Sequence, residues 1–159
     1  MKPQDVFVRL MLEEDIPDVL AIEETLPGRQ WTEKSFMDSL KRPEAHFYVA
    51  ACRDEEGLSS YPQGRALAYC GCYCALDEAE IVNVAVAPEL RQNGIGRQMV
   101  SYVIGEEKKS GTRIFILEVR CSNTAARRLY EKAGFVCCGT RRDFYERPAE
   151  DAIVMRLDV

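Results

Sequence analysis

The sequence predicts one α/β domain, a mixed central sheet of about seven strands flanked by about four helices. Three observations predict it. Apolar runs of strand length interleave with stretches of helical spacing along the chain. Between Ile81 and Val119 a strand, a glycine-bearing loop, a helix and a second strand follow in order, which makes a βαβ unit with parallel neighbouring strands. Two further strands with no helix between them, Phe135 to Phe144 and Ala152 to Leu157, close the chain. No repeat, linker or low-complexity segment interrupts its 159 residues, a length that buries a sizeable core in one domain.

Each element has a local cause. Val6 to Leu12 opens as an apolar strand. Glu13 to Leu26 reads as a helix, with Pro17 tolerated in its first turn and Ile16, Val19, Leu20 and Ile22 forming the apolar stripe. Pro27-Gly28 ends it. Thr32 is a good N-cap for a short helix to Leu40, with Phe36, Met37 and Leu40 facing inward. Trp31, just before that cap, is either a hydrophobic staple or a wall of a substrate pocket. Ala45 to Cys52 is a strand, and Arg53 to Gln63 a polar connection. Gly64 to Leu76 is a long strand with Glu80 to Val86 as its hairpin partner. Pro88 stops that partner, because proline cannot donate to a ladder. Gly94 to Ser110 is a helix whose apolar face is Ile95, Met99, Val100, Val103 and Ile104; Gly105 is an internal weak point and Gly111 the cap. Arg113 to Val119 is the next strand, and Asn123 to Ala133 a helix stopped by Gly134.

Composition narrows the function classes. Hydrophobic content of 47% and charged content of 30% are those of an ordinary globular protein. A net charge of −5 argues against direct nucleic-acid binding. No run of about 18 apolar residues is present to span a membrane. The first five residues carry no apolar signal region, so a cytoplasmic protein is expected. Seven cysteines, an odd count, argue against a secreted disulfide framework. Cys70, Cys72 and Cys74 alternate on one strand and share a face, where they read as small buried filler. Zinc usually takes paired cysteines with a second pair or histidines. The second cluster here is Cys137-Cys138, whose side chains point to opposite faces, and His46 stands alone, so no metal is expected.

The loop between Val86 and the following helix is the first candidate site. Gly94 and Gly96 open a helix N-terminus, where unpaired N–H groups and the helix dipole favour a phosphate. Arg91 and Arg97 add charge. The plainer reading is that the glycines only shape the start of the helix; the third glycine of a dinucleotide fingerprint and the Lys-Ser/Thr of a P-loop are both missing. Glu118 is the most conspicuous acid. It lies in an apolar strand in phase with Ile114 and Ile116, where desolvation raises a carboxyl pKa toward that of a general base. The plainer reading pairs it with Arg120 or Arg113. Tyr130 is either a core aromatic or a phenol donating a proton at the mouth between the parallel strands. Asn123 is a helix cap that could also hold a ligand. No Ser-His-Asp or Cys-His arrangement is visible.

Together these segments resemble a known family. Gln30 to Phe36, Val82 to Pro88, Arg91 to Arg97, Leu117 to Asn123, Ala126 to Phe135, Arg141 to Tyr145 and Glu150 to Met155 are similar to the GNAT acetyltransferases, and within them to the RimI-type ribosomal-protein-alanine N-acetyltransferases. The resemblance covers nearly the whole chain. It implies the GNAT fold, splayed between the fourth and fifth strands, and acetyl-CoA as co-substrate. It implies that the pyrophosphate lies on Arg91, Gln92, Asn93, Gly94, Ile95, Gly96 and Arg97, that pantetheine runs beside Val84, Ala85 and Val86, and that Asn123 holds the same molecule. It implies Glu118 as general base and Tyr130 as general acid. The acceptor implied is the N-terminal segment of a ribosomal protein, probed by a monomer or weak dimer. Gln30-Trp31 replaces the family's Pro-Trp pair, and the Arg53 to Gly64 connection is longer than usual; both bear on the acceptor rather than on the donor. Three alternatives stay open: acetylation of a small amine or a lysine side chain, a non-catalytic acyl-CoA-binding module, and a cysteine zinc module, which needs stoichiometric zinc and for which none is expected.

Overall fold

A computed structural model describes residues 1–28, 31–53 and 60–159, with Pro3 described by its backbone alone. Gln30 and most of the expected Arg53 to Gln63 connection therefore lie outside the described residues. Among the described residues seven strands form one sheet: β1 Val6–Leu10, β2 Ala45–Cys52, β3 Ala66–Ala75, β4 Glu78–Val86, β5 Ile114–Arg120, β6 Val136–Glu146 and β7 Ala149–Asp158. Four α-helices among the described residues accompany it: α1 Ile16–Glu23, α2 Glu33–Leu40, α3 Ile95–Lys109 and α4 Thr124–Lys132. The order across the sheet is β1-β2-β3-β4-β5-β7-β6. Among these described strands only β4 and β5 are parallel, as the βαβ unit requires. The expected first helix is divided: Glu13–Asp15 is a 3-10 turn and α1 starts after it. No helix among the described residues is long and apolar enough to cross a membrane.

The core is continuous from Val6 to Met155, with Val49, Tyr69, Val100 and Phe115 all fully buried. Helices α1 and α2 pack on β2 and β3 from one side, and α3 packs on β2, β3 and β4. Tyr69 and Tyr73 bond to groups on α1 and α2, so the intervening Cys70, Cys72 and Cys74 point to the α3 side, as strand alternation dictates. Cys70 and Cys72 are buried, and burial pushes the Cys70 thiol up to about 12.

The start of α2 shows how local sequence fixes the site's surroundings. Thr32 caps it by accepting from the Ser35 N–H at 3.2 Å, and Ser35 Oγ accepts from the Thr32 N–H at 2.6 Å. Trp31 precedes the cap and stacks on Phe36 four positions into the helix, with ring centroids 5.1 Å apart, which is the staple geometry. Thr32→Ala removes the cap and should cost about 1 kcal/mol. For a domain of this size that lowers Tm by about 2–4 °C, measured by calorimetry.

Candidate active site

The site begins where the parallel pair stops. Strands β4 and β5 are in register over only four positions, from Glu78 opposite Ile114 to Ile81 opposite Leu117. Beyond these residues β4 keeps its ladder with β3 as far as Val86 opposite Ala68, and β5 keeps its ladder with β7 as far as Arg120 opposite Ala152. A wedge therefore opens between Val82–Val86 and Glu118–Arg120. The Ala87 N–H donates to Leu67 O on the β3 side at 2.9 Å. By strand alternation the main-chain groups of Val84 and Val86 face the wedge. The expected splay between the fourth and fifth strands is present.

Two clefts lie along this wedge and meet at Ala126. The first, of about 830 Å³, is lined by Glu23, Trp31, Asn83, Val84, Glu118, Asn123, Tyr130 and Tyr145, among others. The second, of about 1130 Å³, lies between the loop before α3 and the outer face of α4. Arg91, Arg97, Arg128 and Lys132 line it, and no acidic side chain does. A four-cation lining on a chain of net charge −5 is a local reversal of sign, which suits a polyanion.

The loop conformation favours the same ligand. Gln92 and Gly94 have φ of 64° and 86°, and Gly94 is the N-cap of α3. Gly96 has a packing role as well: a Cβ there would lie 3.0 Å from Leu129 Cδ1 and 3.5 Å from Val86 Cγ2. Its absence lets α3 approach α4 across the end of β4. Gln92, Asn93 and Arg97 are exposed, whereas the Ile95 side chain is in the core, so only its backbone can face the cleft. Arg91 does more than add charge. Its Nε donates to Val86 O at 3.1 Å and its guanidinium to Thr25 Oγ1 at 3.1 Å, which ties the loop to α1.

Glu118 projects from β5 with its side chain 10% exposed. Burial raises its pKa, Arg141 opposes the rise, and Glu80 adds to it. The partner of the carboxylate is Arg141 Nε on β6 at 3.2 Å, rather than Arg120 or Arg113. Arg120 instead donates to the carbonyls of Pro148 and Arg147 at 2.9 and 3.1 Å and stacks on the Tyr145 ring. Arg113 is taken up by the carbonyls of Lys108 and Thr112. Tyr130 lines the same cleft from α4, with its ring against Phe135. Burial holds its pKa far above the ordinary phenol value, so the hydroxyl is protonated at neutral pH. Asn123 caps α4 by accepting from the Ala126 N–H at 3.1 Å. That occupies Oδ1, and the residue lines the first cleft. Of the predicted residues, the structure thus brings Val84, Glu118, Asn123 and Tyr130 to one cleft and Val86, Arg91, Gln92, Gly94, Gly96 and Arg97 to the other.

The model of the acetyltransferase (GNAT) family matches residues 11–135 of this sequence. The chain belongs to the GNAT acetyltransferase family. It is 33% identical over 147 residues to the [ribosomal protein bS18]-alanine N-acetyltransferase of Escherichia coli (strain K12), covering 91% of this chain and 92% of that one. The crystal structure of the ribosomal-protein-S18-alanine N-acetyltransferase from Escherichia coli superposes with a TM-score of 0.81 at 30% identity, over 97% of this chain and 94% of that one. Ard1 from Thermoplasma volcanium, at 24% identity, shares the fold with a TM-score of 0.83 over 98% of each chain.

Several residues of this GNAT site escape sequence reasoning. Glu23 is 2% exposed at the end of α1, where Tyr69 donates to its carboxylate and Asn83 Nδ2 donates to it at 3.2 Å. Its spacing of four from Val19 and seven from Ile16 puts it on the buried stripe, and that was a usable signal. Arg128 and Lys132 share one face of α4 by the same spacing rule. Arg141 gives no local signal, because its meeting with Glu118 depends on β7 lying between β5 and β6. Trp31 makes the staple contact and also lines the first cleft.

Proposed function

We propose that this enzyme transfers the acetyl group of acetyl-CoA to the N-terminal amine of a ribosomal protein of the bS18 class whose first residue is alanine. One observation carries the donor half: the unpaired edge of β4, running from Glu118 to a cation-lined loop. Acetyl-CoA is a substrate here, and its parts fit the wedge. Pantetheine runs beside Val84, Ala85 and Val86 and pairs with the wedge-facing main-chain groups of Val84, as an added strand would. The pyrophosphate takes the N–H groups of the Gln92–Arg97 loop and the charges around it. Asn123 supplies Nδ2 to the same molecule. The acceptor half rests on the bS18-alanine acetyltransferases named above and on the acidic end of the first cleft. Glu23 and Glu118 there favour an ammonium group.

The chemistry follows from these positions. Glu118, ionised, takes a proton from the terminal ammonium, directly or through water. The freed nitrogen attacks the thioester carbon, an N–C bond forms, and the carbonyl oxygen accepts from the N–H of Val86. The C–S bond then breaks as the carbonyl re-forms, Tyr130 gives its proton to the departing thiolate, and the second proton shed by the new amide nitrogen restores Tyr130. Holding both reactants in line supplies much of the acceleration.

The direct test is an acetylation assay on a synthetic bS18 N-terminal peptide beginning with alanine, read by mass spectrometry. One acetyl group should be gained at the α-amine. No gain on that peptide, with turnover of a polyamine or of an internal lysine, would move the enzyme to the small-amine or side-chain class.

A further inference from the structure

His46, Cys72, Cys74 and Glu107 come together on the α3 side of the sheet, outside the wedge. They arise from three elements: His46 from β2, both cysteines from β3, and Glu107 from the last full turn of α3. One nitrogen, two sulfurs and one carboxylate oxygen all lie within 4.8 Å of one another. The sequence expectation of no metal depended on His46 standing alone and on Cys137-Cys138 as the second pair. Both of those cysteines are exposed, and His46 has partners.

The distances have the form of a coordination shell. A tetrahedral zinc ion with bonds of about 2.3 Å to sulfur and about 2.0–2.1 Å to nitrogen or oxygen places its ligand atoms about 3.3–3.8 Å apart. Here Cys72 Sγ and Cys74 Sγ are 3.9 Å apart, and Cys74 Sγ lies 3.5 Å from His46 Nδ1 and 3.3 Å from Glu107 Oε2. Cys72 Sγ lies 3.9 Å from Glu107 Oε1. His46 Nδ1 and Glu107, at 2.9 Å, are closer than the ion requires, the two sulfurs face different oxygens of the carboxylate, and the set as a whole spans up to 4.8 Å, so ion binding draws these side chains inward.

The surrounding groups are those that orient metal ligands. His46 Nε2 donates to Pro43 O at 3.1 Å, which in a neutral ring leaves the Nδ1 lone pair aimed at Glu107. Tyr48 donates to Glu107 Oε1 at 2.6 Å, fixing the carboxylate. Glu107 is 1% exposed, and among the described residues no lysine or arginine pairs with it. Both thiols face that same carboxylate. The His46 side chain is 32% exposed, which gives an ion a path from solvent.

We propose that His46, Cys72, Cys74 and Glu107 bind one zinc ion as a closed four-ligand site that fastens β2 and β3 to the end of α3. Zinc is the ion suited to a mixed nitrogen, sulfur and oxygen set of this geometry. Binding displaces the two thiol protons and leaves two thiolates, one carboxylate and one neutral imidazole around the ion. All four positions come from protein, so the site is structural and stands apart from acetyl transfer.

The test is metal content of the full-length protein, by plasma mass spectrometry, as purified and after equilibration with zinc chloride and desalting. One zinc per chain is expected in at least the second case. A metal-stripped sample given cobalt(II) should show the visible bands of a tetrahedral ion with thiolate charge transfer. His46→Gln, at a partly exposed position, and Cys74→Ser should each abolish those bands. Tyr48→Phe should weaken zinc about 10–100-fold, and Cys137→Ser with Cys138→Ser should change nothing. Absence of zinc in both preparations would overturn the site in favour of the His46–Glu107 ion pair. So would one zinc per chain that persists in both His46→Gln and Cys74→Ser.

Discussion

Glu118→Gln is expected to lower kcat for peptide acetylation by on the order of 10²–10⁴-fold, the usual contribution of a positioned base, with acetyl-CoA affinity unchanged. Glutamine keeps the shape of the side chain and removes only the basicity. The pH profile gives the sharper reading. Burial raises the Glu118 pKa, and the carboxyl acts only when ionised, so activity should rise with pH through that raised value. The Gln variant should lose this part of the acid limb. Arg141 favours the ionised form and so pulls the pKa down. Arg141→Met should therefore move the limb to higher pH while the acceptor amine, unaltered, keeps its own titration. A wild-type profile in the Gln variant, or no movement with Arg141→Met, would remove Glu118 from the reaction.

Tyr130→Phe is expected to cost kcat a comparable factor, about 10²–10⁴, because the departing thiolate then lacks its proton donor. The substitution should leave the fold intact: the ring keeps its edge contact with Phe135, whose centroid is 5.7 Å away. Tyr145 lines the same cleft and also has a raised pKa, mainly from burial, which makes Tyr145→Phe the necessary control. Steady-state turnover under saturating acetyl-CoA decides between them. Full activity in Tyr130→Phe with loss in Tyr145→Phe would transfer the acid role to the second phenol.

Much of this arrangement can be read from sequence because its causes are local. Pro88 ends β4, Gly94 takes a left-handed conformation at the cap of α3, and Asn123 caps α4. Each follows from backbone chemistry within a few residues. Glu118 stands out because a charged residue keeps phase with Ile114 and Ile116 on one strand. The illegible parts are meetings between distant segments. Arg141 reaches Glu118 through the inserted β7, and Glu107 reaches His46 across 61 positions. Periodicity marks Glu107 as buried on the face of Val100 and Val103, yet says nothing of what lies opposite. The pairing of Glu118 with Arg120 or Arg113 failed for the same reason: strand neighbours in sequence point to opposite faces or find partners of their own.

The short parallel ladder has a mechanical consequence. Four paired positions are all that couple the plate formed by β1 to β4 with the plate formed by β5, β7 and β6 along their shared edge. In the proposed mode of binding the donor touches both plates beyond the point where they part, and so acts as a keystone. The proposed placement thus predicts halves that are stiffest against one another with the donor bound, and a joint that loosens when the spent carrier departs.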